Sequence, residues 1–125
     1  MQTRLGALLL TFAVFASPAN AACVVKDDVF DRSMSLIVST RHCNGLQPMN
    51  EGQMLKFLTT SQAIDVPAST GEDCGLKISS ALDEMEALVK TGTADQAKQM
   101  CQAADATIHA SPEMEDFFRS EGIIK

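Results

Sequence analysis

The sequence predicts an all-α fold: a small four- to five-helix bundle stapled by two disulfides, following a cleaved signal peptide. Three observations predict it. Apolar residues recur at spacings of three and four through most of residues 22–125, the period that gives a helix one apolar face. Capping and breaking signals cut that span into helix-sized pieces. Four cysteines, an even number, all lie beyond the first 21 residues, in a chain whose start reads as an export signal. No run of strict alternation marks a half-buried strand. Only SLIVST, Ser35–Thr40, is strand-like in composition, and a hairpin there is the competing expectation.

The chain opens MQTR, with Arg4 as its only charged side chain before an uncharged run, LGALLLTFAVFA, at residues 5–16. Pro18 follows, then Ala19-Asn20-Ala21. A short basic start, an apolar run and small residues at −3 and −1 make a secretory signal peptide, residues 1–21, cut at Ala21–Ala22. The run is shorter than the ~20 residues a membrane span needs. A lipoprotein cut before Cys23 is the rival. It is disfavoured because Asn20 stands where such signals carry an aliphatic residue, and because a lipidated Cys23 would leave one cysteine unpaired. The sequence thus points to a periplasmic or secreted domain, residues 22–125, without a transmembrane segment.

The first helix is expected from an Asp28 cap to about Arg41, with Val29, Phe30, Met34, Ile37 and Val38 on one side. HCNGLQP, residues 42–48, breaks it with an Asn-Gly turn pair and a proline. Asn50 and Gln53 have the spacing of a capping box and open a second helix carrying Met54, Leu55, Phe57, Leu58 and Ile64. Residues 66–73, VPASTGED, read as a loop. The third helix has the cleanest stripe, Ile78, Ala81, Leu82, Met85, Leu88 and Val89, with Gly92 expected at its C′ position. Thr93 and Gln96 repeat the capping box. The fourth helix is expected to bury Ala94, Ala97, Met100, Cys101, Ala104 and Ile108. Ser111 then caps a short fifth helix with Pro112 at its first position.

In an up-and-down bundle Cys23 and Cys74 both precede odd-numbered helices and so share one end. Cys43 closes the first helix at the other end, and Cys101 lies about two turns into the fourth helix from that end. The preferred pairing is Cys23–Cys74 with Cys43–Cys101. Cys23–Cys101 with Cys43–Cys74 is the runner-up.

Sixteen acidic against ten basic residues give a formal charge of −6, and loss of Arg4 with the signal makes it −7. That charge opposes nucleic acid and anionic membranes and favours a partner protein with a basic surface. The chain has no Trp or Tyr, and Phe30, Phe57, Phe117 and Phe118 are the only rings after the signal, so stacking sites for bases or sugars are not expected.

Catalytic chemistry finds little support. There is no C-x-x-C, so neither a zinc ribbon nor a thioredoxin-type motif is present. His42 and Cys43 are neighbours on a helix and point about 100° apart. His42 and His109, the only histidines, read as helix C-terminal charges. Met34, Met54, Met85 and Met100 fall on apolar stripes, so they read as core and not as thioether copper ligands. Asp83/Glu84/Glu86 and Glu113/Glu115/Asp116 lack the calcium-loop pattern and read as solvated faces.

The tail SPEMEDFFRSEGIIK places Met114, Phe117 and Phe118 on one face at i, i+3, i+4. It folds back as a lid on the bundle, or it docks into a partner's groove as an amphipathic helix. Met114, Phe117 and Phe118 are thus the candidate partner-binding residues. No catalytic, cofactor-binding or metal-binding residue is expected.

The expected function is that of a non-enzymatic protein-binding, inhibitor or immunity-type protein acting through an acidic helical surface. A periplasmic acid- or envelope-stress chaperone and a small metal carrier or enzyme are the alternatives.

Overall fold

The computed structural model describes residues 23–65 and 71–125. The expected signal peptide, the Ala21–Ala22 cut and residues 66–70 of the expected loop lie outside the described residues. Within them stand five helices: α1 (Asp27–His42), α2 (Glu51–Thr60), α3 (Gly71–Thr91), α4 (Ala94–Ile108) and α5 (Pro112–Ser120). The fold is all-α. SLIVST lies inside α1, where tertiary burial overrides its β-branched composition. The one β pairing among the described residues is an isolated antiparallel bridge of Val25 with Ile64, flanked by Lys26 N–H donating to Ala63 O at 2.9 Å.

α1 is the central strut, with α2, α3 and α4 all packed on it, while α5 packs on α4. Its Met34, Ile37 and Val38 are fully buried, as are Leu58, Ile108, Phe118 and Ile123 from the surrounding elements. Each such side chain contributes about 1.5–3 kcal/mol by leaving water. The helix starts where two aspartates, Asp27 and Asp28, can face its positive end. The expected Asp28 cap is corrected: the N-cap is Lys26, without a side-chain bond, and Asp28 sits in the first turn.

Both capping boxes form. Asn50 Oδ1 accepts from Gln53 N and Gln53 Oε1 accepts from Asn50 N, and Thr93 with Gln96 repeats the exchange. Ser111 Oγ accepts from Met114 N, with Pro112 at the first helical position.

α2 stops before Ile64 because its end is a Schellman turn: Ala63 N donates to Leu58 O and Gln62 N to Thr59 O. Ile64 is therefore in the bridge and not on α2, and Leu55 points outward. α5 ends with the same turn. Ile123 N donates to Phe118 O and Gly122 N to Arg119 O, with Gly122 at φ +77°. Gly92, expected in that role, is not left-handed.

Two disulfides staple the bundle, Cys23–Cys74 and Cys43–Cys101, the preferred pairing. Such bonds persist in oxidising surroundings outside the cytoplasm. Among the described residues no helix is long and apolar enough to cross a membrane.

The stripes of α3 and α4 are only partly buried. Leu88 is 70% exposed, and Ala94 and Ala97 are exposed as well, contrary to expectation. The cause is where α1 ends. Its last turn is level with Glu86, which meets Arg41 and His42, and with Cys101, which is bonded to Cys43. Beyond that level α3 and α4 continue for about 8 and 10 Å respectively at 1.5 Å per residue. α1 is no longer there to cover them.

Candidate binding cleft

The face of α1 that carries Val29, Arg32, Ser33, Leu36 and Ser39 turns toward α4. These residues are spaced three and four apart, so they line up along one side of the helix. α4 contributes Met100, Ala103, Ala104 and Thr107 to the lining, and Phe57, Ser61 and Met114 complete it. The result is a cleft of about 470 Å³, inside the range of about 300–1,000 Å³ typical of ligand sites. Its floor is aliphatic, aromatic and thioether. Methionines suit a site that must adapt to what it holds.

The cleft's hydroxyls are committed inward. Ser39 Oγ donates to Ser35 O at 2.8 Å, and Thr107 Oγ1 donates to Ala103 O at 2.9 Å. Ser61 Oγ donates to Leu58 O at 3.4 Å, and Ser33 Oγ lies 3.3 Å from Ser61 Oγ. A carbonyl can only accept, so the hydroxyl protons of Ser39 and Thr107 point at the backbone, while between Ser33 and Ser61 either hydroxyl can be the donor.

Arg32 is the one ionised residue of the lining and forms no ion pair among the described residues; the acidic residues lie outside the lining, on the flanking helices. Asp28 and Asp31 on α1 and Glu113 and Asp116 on α5 are exposed and form no ion pair among the described residues. Three cations are already engaged elsewhere, in Arg41–Glu86, Lys56–Glu121 and Arg119–Glu115. Burial pushes the Glu86 carboxyl up. The hydrogen bonds and charges of His42 and Arg41 outweigh it and hold Glu86 below its ordinary value. The hydrogen bond from Lys56 likewise holds Glu121 low.

The three residues proposed from sequence are not presented together. Phe118 is 0% exposed, with its ring 5.3 Å from Phe57 and at 89° to Phe117, also 5.3 Å away. Phe117 is half-buried against Phe57 at 5.6 Å. Met114 alone reaches the cleft. The tail folds back onto α2, and Gln47 N donates to Ile123 O to hold it there.

The cleft residues of α1 and α4 went unread in the sequence. The signal available was a pair of serines, Ser33 and Ser39, on the side of a helix that also carries Leu36.

His42 and His109 do not reach the cleft lining. His42 Nε2 meets Glu86 Oε1 at 2.5 Å, and His109 stands between Asp105 and Glu115 at the joint of α4 and α5. Cys43 is bonded to Cys101 and holds no free thiol beside His42. Among the described residues no three His, Cys, Asp or Glu side chains gather closely enough to hold a metal ion.

Compared with known proteins, the chain matches no family model, no curated protein and no solved structure.

Proposed function

We propose that this chain is a small exported, non-enzymatic binding protein, of the inhibitor or immunity type, that receives a partner protein with a basic surface at the cleft between α1, α4 and α5. The observation that carries the reading is the cleft itself: an apolar, methionine-lined floor between helices that also carry Asp28, Asp31, Glu113 and Asp116, exposed and without an ion pair among the described residues. Apolar floors supply the buried anchor contact of an interface, and rim charges supply orientation and speed of encounter. The formal −6 of the whole chain, −7 once Arg4 leaves with the signal, adds a long-range pull on a basic partner. The two disulfides support export, and the N-terminal signal gives the route.

The test is affinity capture from the native extracytoplasmic fraction at low and at high salt. A basic protein retained at low salt and shed at high salt is the expected result. Absence of any basic protein from the eluate at low salt removes the reading.

A further inference from the structure

We propose that the cleft is also the site of a small-molecule ligand, an unbranched alkyl carboxylate, with its carboxylate on the Arg32 guanidinium and its chain on the apolar floor. This goes beyond the protein-binding reading above and stands apart from it. The acidic residues that suit a basic partner lie outside the lining, whereas Arg32 belongs to it.

Two observations carry it. First, Arg32 is the one ionised residue of the lining, and it forms no ion pair among the described residues. Asp28 stands four residues before it on α1, the spacing and order in which an acid and a base pair best on a helix surface. That pair does not form. Arg41 and Arg119, by contrast, are engaged with Glu86 and Glu115. The Arg32 guanidinium thus keeps its donors available beside an apolar cleft. Its planar fork matches a carboxylate through two parallel hydrogen bonds, and its single charge matches a single anion. An ammonium group there would meet a like charge.

Second, the residues around Arg32 separate a place for a head from a place for a chain. Val29 and Leu36 lie one turn to either side of Arg32 on the same face of α1, and Phe57, Met100 and Met114 extend the apolar lining. Ser35, three residues after Arg32, carries the one lining hydroxyl without a hydrogen bond among the described residues, so its proton is open to a ligand oxygen. Arg32 and Ser35 are exposed, while Leu36 and Phe57 are buried. Free donors therefore stand at the solvent edge and apolar groups beneath them. An alkyl carboxylate meets both: its chain leaves water, and its head stays at the wet edge.

The experiment uses the folded, disulfide-bonded protein with ¹³C-methyl methionine labelling. Met100 and Met114 report on the cleft, and Met49, buried in the core away from the cleft lining, serves as the control. Three probes of equal chain length are titrated separately at neutral pH, below their micellar concentrations: n-octanoate, n-octanol and n-octylammonium. The expected order is octanoate over octanol by roughly fivefold, the worth of a charge-assisted hydrogen bond weakened by solvent, with octylammonium weakest. Arg32→Gln, at an exposed position, should remove the advantage of octanoate and leave octanol unchanged. Arg32→Lys, which keeps the charge and loses the fork, should retain part of it.

Octylammonium binding as tightly as octanoate overturns the proposal. So does an octanoate advantage that survives Arg32→Gln, and so does octanoate that shifts neither Met100 nor Met114. Octanoate bound as expected while affinity capture retains no basic protein supports the ligand site and removes only the protein-binding reading. A captured basic protein without octanoate binding does the reverse.

Discussion

The ring centroid of Phe118 lies 5.3 Å from that of Phe57. That contact joins α5, near the end of the chain, to α2, and it fixes how the cleft is closed. With Phe118 inserted, Met114 one turn earlier is held over the cleft, and the Schellman turn at Gly122 sends Ile123 into the core. The tail thus packs into the core at Phe118 and lines the cleft at Met114.

Phe118→Ala should cost about 3–5 kcal/mol, the range for emptying a buried phenylalanine position. Phe117→Ala should cost clearly less, since Phe117 keeps an exposed edge. Urea denaturation of both variants checks the order. Equal costs would show that α5 is held by its face as a whole and not by Phe118.

Gln62 and Gly122 occupy the same C′ position in two Schellman turns, at φ 61° and φ 77°. The left-handed region costs a residue with a Cβ about 1–2 kcal/mol, and a glycine escapes that cost at the expense of a freer unfolded chain. Gln62→Gly should therefore stabilise by roughly 0.5–1 kcal/mol. A shift of the denaturation midpoint to higher urea with an unchanged slope is the expected observation. A lower midpoint would refute it.

Cys43–Cys101 ties the end of α1 to α4 across a sequence separation of 58. Replacing both cysteines by serine should cost about 2–5 kcal/mol. It should also loosen one wall of the cleft, so the Met100 methyl resonance should broaden more than that of Met49. A variant as stable as the parent would show that helix packing alone fixes α4 on α1.

Glu86 gives a pH dependence whose sign follows from its lowered folded pKa. Its ion pairs with His42 and Arg41 stabilise the fold fully above the carboxyl's ordinary value of 4.5, and that contribution is lost as pH falls through the lowered folded value. The carboxylate is about one third exposed, so solvent screens the pair and the effect is small. Glu86→Gln should be less stable than the parent at neutral pH, and the gap should close in acid. A gap that stays constant from pH 7 to pH 3 would contradict the assignment.

Much of this fold is legible in the sequence because its signals are local. Capping boxes need only residues three apart, and both formed. The helix end that each cysteine occupies favoured the disulfide pairing that formed, without excluding the runner-up. What escaped depends on lengths and on tertiary level. Leu88 reads as core by its spacing, yet α1 ends too early to cover it. Ala104 reads as buried by its spacing and is buried, yet nothing in that spacing marks the cleft it lines with Ala103 and Leu36. Gln62 takes a left-handed turn that composition assigns to glycine. The hydrogen bonds of Ser39 and Thr107 to backbone carbonyls one turn earlier are likewise displayed by no pattern of residue types.

The most direct test of the account fills the cleft from its rim. Ala103 is exposed on α4 and lines the cleft, so Ala103→Phe occupies the space without disturbing the core. Parent and variant, matched for folding by circular dichroism, are compared in quantitative capture of the same basic partner at low salt. The account predicts that the parent retains the partner and the variant loses at least tenfold in affinity, about 1.4 kcal/mol. Equal retention by both would contradict it and place recognition elsewhere on the acidic surface.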